Sequence, residues 1–334
     1  MPVIPAEFRA FVAEKAGETV ERSVRDFAAA DLPPGEVEIR VGWSSVNYKD
    51  ALATIVSGKV ARINPLIPGI DLAGTVIASE DEAIPVGSEV LAHGYELGVA
   101  RHGGYAEYAR VPAGWIVPLP PGLTARDAMA VGTAGFTAAL SVARLEAHGL
   151  DPGGGPVLVT GASGGVGRTA TGILAERGYE VWAASAKTEV HAELRALGAV
   201  GILSREEVTA DSPRPLESER WAGAIDCVGA ATLPYILRTL KWGGAVAASG
   251  NTSGAAFSIT VFPFILRGVA LLGIDSAQVP IDDRRRLWGR IADDLRPGGL
   301  GRALTEVDLD GLEPALDAIL AGRANGRWVV RLGG

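Results

Sequence analysis

The chain has few of the residues that build disulfides and metal centres. Its single cysteine, Cys227, excludes an intramolecular disulfide framework and a metal cluster held by several cysteines. It has four histidines, and no two of them stand at the i, i+4 spacing that a zinc protease uses: His93, His102, His148 and His191. Catalysis by a resident metal ion is therefore not expected. Cys227 lies in an apolar, strand-like segment and is interpreted as a small core residue.

The chain also lacks an excess of positive charge and a long hydrophobic run. Its formal net charge is −8, so it has no general attraction to nucleic acid or anionic lipid, and neither partner is expected. The longest apolar stretch, residues 260–274, is interrupted by Pro263 and Arg267 and is too short to span a membrane. Charges are scattered through residues 1–31, which predicts no signal peptide. The composition is typical of a cytoplasmic enzyme with a small-molecule substrate.

Glycine is abundant, and three glycines form the most informative motif. Gly161, Gly164 and Gly167 follow an apolar run that ends at Thr160, and they precede a helical pattern at residues 168–175. A strand, a glycine turn and a helix in this order bind a dinucleotide, because the backbone can approach the pyrophosphate and the helix N-terminus offers free N–H donors. The sequence therefore predicts a dinucleotide site.

The end of the next strand indicates which dinucleotide binds. An NAD site usually has an acidic residue there, which binds the ribose 2′-hydroxyl. This chain instead has Ser185, Ala186 and Lys187, and Arg205 follows the third strand. A hydroxyl and a cation donate to a 2′-phosphate, so the pattern favours NADPH. In the alternative interpretation, Ser185 only caps the next helix and Lys187 is a solvated charge.

The order of the predicted elements divides the chain into two domains. Strand-like segments between turns dominate before residue 124, and helices then alternate with short apolar strands, the pattern of a doubly wound parallel sheet. The predicted fold class is α/β. We assign residues 125–266 to a dinucleotide-binding domain, and residues 1–124 and 267–334 to a discontinuous β-rich domain. The predicted sixth strand of the sheet, residues 269–274, leaves an apolar edge that predicts a homodimer.

Four segments carry a resemblance to a known family: residues 43–50 (WSSVNYKD), 67–74 (IPGIDLAG), 132–138 (GTAGFTA) and 263–267 (PFILR). Together they resemble the zinc-free medium-chain dehydrogenase/reductases, in the branch of acrylyl-CoA reductases and proteins described as quinone oxidoreductases. Zinc-dependent relatives have a cysteine ligand near Asn47 or Tyr48 and Gly-His-Glu where this chain has Gly69-Ile70-Asp71, so both ligand positions are missing. The resemblance covers nearly the whole chain and implies a GroES-like catalytic domain beside a Rossmann domain.

The resemblance also implies the residues of an NADPH site. The pyrophosphate would contact Ser163, Gly164, Gly165 and Val166, and the adenosine ribose phosphate would contact Ser185, Ala186, Lys187 and Arg205. Tyr48 would lie beside the nicotinamide. The remaining residues of the cofactor cleft would be Thr137, Asn251, Ile265 and Ser276. A further contact is expected from residues 322–327.

The implied reaction is reduction of the C=C bond of acrylyl-CoA to propionyl-CoA. It needs a hydride for the β-carbon, a donor for the enolate oxygen and a proton for the α-carbon. Tyr48 could orient the nicotinamide or donate the proton. Asn47 could hydrogen-bond the thioester oxygen. These two residues are the catalytic candidates.

Four charged residues are interpreted as structural. Asp71 and Asp226 are expected to satisfy hydrogen-bond donors. Lys49 and Asp50 are expected to be helix-start charges or a local ion pair. None of the four is a catalytic candidate.

Two other functions remain open from the sequence. The same cleft could deliver a hydride to a quinone, and the chain could bind NADPH as a structural protein without catalysis. A CoA thioester would also need cations for its phosphates, and the candidates are Arg62, Arg101, Arg267 and Arg323. Turnover of an enoyl-CoA would separate these functions.

Overall fold

A computed structural model describes residues 3–333 and divides the chain into two compact units. Unit 1 contains the chain up to Thr133, Ala277–Ala292 and the residues from Leu300 onward, and unit 2 contains Ala134–Ser276 and Asp293–Gly299. The chain thus passes between the units after residues 133, 276, 292 and 299, whereas the predicted domain boundaries stand after residues 124 and 266. The predicted outer ends at residues 1 and 334 lie outside the described residues.

The elements are numbered in chain order. The strands are β1 Glu7–Ala16, β2 Thr19–Ala28, β3 Val37–Ser45, β4 Asp71–Ser79, β5 Glu89–His93, β6 Tyr108–Val111, β7 Val117–Pro118, β8 Val157–Thr160, β9 Val181–Ala184, β10 Ala199–Leu203, β11 Trp221–Asp226, β12 Leu240–Ala248, β13 Ala270–Gly273, β14 Leu304–Val307 and β15 Arg327–Arg331. The helices are α1 Tyr48–Ala53, α2 Ala125–Ala147, α3 Gly165–Glu176, α4 His191–Ala196, α5 Thr232–Thr239, α6 Phe262–Arg267, α7 Ile281–Ala292 and α8 Leu312–Leu320.

Unit 1 is built on a seven-stranded sheet and a separate hairpin. The sheet has the order β14-β15-β3-β4-β5-β7, with β6 paired to β3, and β1 and β2 form the antiparallel hairpin. Alternate residues of β3, namely Val37, Ile39 and Val41, are fully buried in the core of the unit. This alternation is the period-two pattern that makes one face of a strand apolar.

Unit 2 contains a six-stranded parallel sheet in the order β10-β9-β8-β11-β12-β13. Counted within the sheet, this is the 3-2-1-4-5-6 order of the Rossmann fold, and it confirms the predicted doubly wound α/β class. Every residue of β8 is buried, as expected for a strand covered on both faces. The strand order reverses between β8 and β11, which is where such sheets bind their ligands.

Helix α2 is long and apolar enough to cross a membrane by length and composition alone. However, 78% of its most apolar window is buried in the protein. Gly132 has φ 52° and ψ −164° and breaks the helix into two shorter pieces, each below the length of a membrane span. We therefore describe α2 as a core helix.

Candidate cofactor and active site

The glycine turn of unit 2 has the geometry of a phosphate cradle. Gly161 follows β8 with φ +60°, a conformation that residues with a side chain rarely adopt. A Cβ on Gly167 would lie 2.5 Å from the Gly161 carbonyl oxygen, so only glycine allows α3 to start so close to β8. No side chain caps the N-terminus of α3, and its first N–H groups are available to an anion. The turn therefore fits a pyrophosphate.

The ends of β8, β9 and β10 bring the predicted phosphate-binding residues together. The Ala162 N–H donates to Ala184 O (3.1 Å), and the Ser185 N–H donates to Leu203 O (3.1 Å). Ser185 therefore lies between the glycine turn and the segment that carries Arg205. The Arg205 guanidinium donates to the Ser253 hydroxyl at 3.2 Å. Ser185, Lys187 and Arg205 therefore stand at or just after the ends of β9 and β10, and their role in binding a phosphate stays a prediction.

The structure contradicts the alternative in which Ser185 caps the next helix. Its hydroxyl accepts the Lys187 N–H at 3.2 Å, which closes a short turn. The residue before α4 is Val190, which has no side-chain cap. Ser185 and Lys187 are therefore held in one turn at the carboxyl end of β9, where a ribose phosphate would lie.

The remaining predicted cofactor residues of unit 2 divide into two groups. The Thr137 hydroxyl donates to the Ser276 hydroxyl at 2.8 Å, so these two residues meet. Asn251 is exposed. Its backbone lies close to Gly229, just after β11, because a Cβ built on Gly229 would lie 3.2 Å from the Asn251 Cα. Ile265 lies on α6 with an exposed side chain. Among the described contacts, none connects Ile265 to the other predicted residues.

Sequence reasoning missed His191, which begins α4. Its Nε2 lies 3.3 Å from the Ser185 carbonyl oxygen, next to the predicted 2′-phosphate site. No sequence pattern indicates this contact, because His191 stands six residues after Ser185 and no motif marks it. The contact forms because the turn between β9 and α4 places the first residue of α4 next to Ser185.

In unit 1, Tyr48 is the first residue of α1 and its side chain is 53% exposed. Asn47 is the N-cap, with its side chain at the N–H of Asp50, while the Asp50 carboxylate accepts the Asn47 N–H at 2.9 Å. This reciprocal pair is a capping box. The prediction that Asp50 is a helix-start charge is confirmed, and Lys49 beside it is exposed. What the sequence did not indicate is that Asp50 is fully buried.

The side-chain amide of Asn47 is 8% exposed and is surrounded by hydrogen-bonding groups. Its Nδ2 lies 2.8 Å from Asp71 Oδ2, 3.0 Å from Ser45 Oγ and 3.2 Å from Asp50 Oδ2. Its Oδ1 accepts from Arg327 Nη1 at 3.2 Å. Two amide hydrogens thus face three acceptors inside the unit, and the orientation of the amide is fixed.

Asp50 and Asp71 are two buried carboxylates in one network. Asp50 Oδ1 accepts the Ile70 N–H at 2.7 Å and the Gly69 N–H at 3.1 Å. Asp71 Oδ2 accepts the Thr133 N–H at 3.0 Å, and Oδ1 accepts the Thr133 hydroxyl at 2.5 Å. Burial and the nearby charge of Asp71 raise the pKa of Asp50 to about 7. The predicted hydrogen-bonding role of Asp71 is confirmed.

A second buried cluster of unit 1 surrounds His93. Its ring accepts from Trp288 Nε1 at 2.8 Å, and the Arg284 guanidinium lies against it. Burial and the Arg284 charge lower the pKa of His93 well below its usual value, so the ring is neutral. Across residues 3–333, no group of three or more His, Cys, Asp and Glu side chains is arranged to hold a metal ion.

Of two further residues of unit 2, Asp226 has the structural role that the sequence predicted, whereas Cys227 is half-buried just after β11 and not a core residue of a strand. Asp226 is fully buried and accepts the Gly229 N–H at 2.9 Å and the Thr232 hydroxyl at 2.8 Å. Burial raises the pKa of the Cys227 thiol to about 12, so the thiol is protonated at neutral pH. Cys227 is therefore a packing residue and not a nucleophile.

Comparison with known proteins identifies the family. Residues 33–121 match the alcohol dehydrogenase GroES-like domain. Acrylyl-CoA reductase AcuI of Ruegeria pomeroyi is 50% identical over 326 residues, which are 97% of this chain and 98% of the relative. The Bacillus subtilis protein YhfP, named as a quinone oxidoreductase, is 48% identical over 97% of this chain and 99% of its own.

Solved structures agree with these relatives. The yhdH oxidoreductase from Salmonella enterica in complex with NADP has a TM-score of 0.94 and 47% identity, covering 97% of this chain and all of that one. The Bacillus subtilis protein yhfP with NAD bound has a TM-score of 0.96 and 47% identity, covering 98% of this chain and all of its own. The chain therefore belongs to the zinc-free medium-chain dehydrogenase/reductases, in the branch of the acrylyl-CoA reductases and related quinone oxidoreductases.

Proposed function

We propose that the protein is an NADPH-dependent reductase that converts acrylyl-CoA to propionyl-CoA. The observation that carries the proposal is the group of strand ends in unit 2, where Ser185, Lys187 and Arg205 stand next to an uncapped glycine turn. The turn fits a pyrophosphate, and the hydroxyl and cations fit a 2′-phosphate. The relative from Ruegeria pomeroyi, named as an acrylyl-CoA reductase, supports the choice of acceptor.

The choice between NADPH and NADH is the part of the proposal that the residues support most directly. An acidic side chain at the end of β9 would repel a 2′-phosphate, and this chain has Lys187 in that turn. One similar solved structure holds NADP and another holds NAD, so membership of the family does not decide the cofactor. We expect a higher kcat/KM with NADPH, and equal values for the two cofactors would contradict this assignment.

Bound NADPH supplies the hydride for the β-carbon, and the chain's own residues supply the remaining groups. Tyr48 is exposed on the first turn of α1, so its hydroxyl is free to orient the nicotinamide or to donate the proton for the α-carbon. Asn47 was predicted to bond the thioester oxygen. Its amide hydrogens face Asp71, Asp50 and Ser45, so the geometry favours a role in holding Tyr48 in place.

Of the four cations considered for the CoA phosphates, two are already engaged. The Arg267 guanidinium donates to the carbonyl oxygens of Arg238 (2.9 Å) and Leu240 (3.2 Å). The Arg101 guanidinium donates to a backbone carbonyl oxygen and lies 5.6 Å from the ring centroid of Trp115. Arg62 and Arg323 are exposed. We propose these last two as the CoA-binding candidates.

A single comparison of acceptors tests the proposed function. NADPH oxidation is followed with acrylyl-CoA, crotonyl-CoA and a benzoquinone at equal concentration. We expect acrylyl-CoA to react fastest, and the added methyl group of crotonyl-CoA to lower kcat/KM by about 10- to 200-fold. Faster turnover of the quinone would favour the second candidate function, which the name of the Bacillus subtilis relative supports. Binding of NADPH without turnover of any acceptor would indicate a non-catalytic protein.

We also propose that the protein is a cytoplasmic homodimer with no nucleic-acid or membrane partner. Strand β13 is the edge of the parallel sheet, and Leu271 on it is exposed. Ile265 and Leu266 on α6 add exposed apolar side chains to the same unit. An unpaired apolar edge is a pairing surface for a second copy. Light scattering is expected to give twice the chain mass of 34.5 kDa, and a monomer at micromolar concentration would contradict the proposal.

A further inference from the structure

The buried carboxylates beneath α1 offer a role that the family comparison does not assign. We propose that Asp50 and Asp71 are positioning residues that hold Tyr48 in place through the amide of Asn47 and the first turn of α1. The inference rests on the proposed function, in which Tyr48 orients the nicotinamide or donates the proton for the α-carbon. Neither carboxylate is exposed, so both act through their neighbours.

Helix α1 depends on its surroundings for its position. It has six residues, and a helix of this length is not stable by itself, since nucleation outweighs the few hydrogen bonds gained. Its first residue, Tyr48, faces solvent, whereas Asn47 and Asp50 on either side are buried. The contacts of these two buried residues therefore determine where the backbone of Tyr48 lies and from which point its side chain starts.

Each of the two carboxylates ties the first turn to strand β4 and the loop before it. Asp50 accepts the N–H groups of Gly69 and Ile70, and Asp71 is itself the first residue of β4 and accepts from the Asn47 amide. A shift of either carboxylate would rotate the amide or lift the turn. Misplacement of a reacting group by about 1 Å can lower the rate about 100-fold.

One cation and one neutral titratable group face the two carboxylates. The cation is Arg327 from β15, whose guanidinium contacts Asn47. The neutral group is the Tyr105 hydroxyl, which donates to the Ser45 carbonyl oxygen at 3.1 Å and whose pKa is raised well above its usual value by burial. On α8, which packs against α1, Glu313 and Asp317 are paired with Arg22 of β2. The charges of both buried carboxylates therefore act on the Arg327 guanidinium, which contacts Asn47 between them.

The oxygen atoms of the two carboxylates face different groups. This difference predicts that Asp71→Asn and Asp50→Asn have unequal effects. Both oxygens of Asp50 face N–H donors, so an amide nitrogen placed there would oppose a donor. Asp71 Oδ1 faces the Thr133 hydroxyl, which can reverse and accept from an amide nitrogen. Asp71→Asn can therefore preserve the contact with Asn47, and Asp50→Asn cannot preserve its own contacts.

The test measures kcat and KM for acrylyl-CoA, together with NADPH affinity by fluorescence without an acceptor. We expect Asp71→Ala and Asp50→Asn to lower kcat by about 10- to 100-fold, and Asp71→Asn to recover most of the loss. NADPH affinity is expected to change by less than about threefold, because the phosphate contacts lie in unit 2. The control is Ile39→Ala, a fully buried core change in β3, which is expected to lower stability and leave kcat unchanged.

Three outcomes would overturn the inference. They are an unchanged kcat in Asp50→Asn, equal losses in Asp50→Asn and Asp71→Asn, and a loss of kcat in Ile39→Ala as large as in the Asp variants. If Asp71→Ala does not fold, the two amide variants decide the question. Failure of the proposed function is distinguishable, since wild-type protein would then leave acrylyl-CoA unreduced.

Discussion

The polar residues of the two units are arranged in opposite ways. In unit 1, Asn47, Asp50 and Asp71 are buried and satisfy one another's hydrogen bonds. In unit 2, the strand ends leave backbone donors uncapped and cations at the surface, at the α3 N-terminus and at Arg205. The first arrangement positions a side chain, and the second binds an anion. From this difference we propose that unit 1 positions the side chain needed for turnover and that unit 2 binds the cofactor.

The largest expected effect is on the stability of unit 1. Asp71→Ala removes the acceptor that the donors of Asn47, Ser45 and Thr133 share. It also removes one of the two carboxylates whose charges act on the buried Arg327 guanidinium, and the two losses together are expected to cost about 3–5 kcal/mol. The matched change in unit 2, Asp226→Ala, removes a buried carboxylate whose hydrogen-bond donors are neutral and is expected to cost about 1–3 kcal/mol. Urea unfolding of both variants measures the two losses. Equal losses would contradict the comparison.

A pH dependence should distinguish Asp50 from the other carboxyl groups. Its pKa is about 7 in the folded protein and near 3.8 in the unfolded chain, so the folded state binds the extra proton between these values. Its contribution to the free energy of unfolding therefore falls as pH rises from about 4 to about 7, by roughly 4 kcal/mol in total.

The neutral histidines give the opposite slope, because the unfolded chain takes up their protons below pH 6.5. The pKa of His102 is lowered to about 4 by burial, and that of His93 is also lowered. The difference between wild type and Asp50→Asn isolates the carboxyl group. We expect this difference in the free energy of unfolding to depend on pH between 4 and 7. A constant difference would show that Asp50 titrates normally.

A smaller effect is expected at the 2′-phosphate site. Lys187→Ala removes one cation from the turn after β9 and is expected to weaken NADPH binding by about 1–3 kcal/mol, the range for a charge-assisted contact. NADH lacks the phosphate, so its affinity should stay nearly the same. Titration of both cofactors measures this, with Lys49→Ala as the control in unit 1. An equal loss of affinity for NADH would contradict the assignment.

The smallest expected effect is that of metal removal. The family branch lacks the zinc motif, and the family resemblance implies that Asn47 and Asp71 lie in the segments that carry the ligands in zinc-dependent relatives. Treatment with EDTA should leave activity unchanged, and elemental analysis should find less than one metal ion per chain. Stoichiometric zinc with loss of activity on chelation would overturn the mechanism.

The same difference between the units determined what the sequence could predict. The cofactor turn is local: β8, three glycines and α3 follow one another, so periodicity and spacing were sufficient. The network around Asn47 combines residues far apart in the chain, including Asp71, Thr133 and Arg327. The family resemblance indicated Tyr48 and Asn47, but their burial and partners depend on the pairing of β3, β4 and β15. Local patterns carry no information about such pairing.

The most direct test of this account measures two quantities on two variants, Lys187→Ala and Asp71→Ala. The quantities are the NADPH dissociation constant without an acceptor and kcat with acrylyl-CoA at saturating cofactor. We expect Lys187→Ala to raise the dissociation constant and to leave kcat within about twofold, and Asp71→Ala to lower kcat about 10- to 100-fold and to leave the dissociation constant nearly unchanged. If each variant changes both quantities to the same extent, the proposal that unit 2 binds the cofactor and unit 1 supports turnover is wrong.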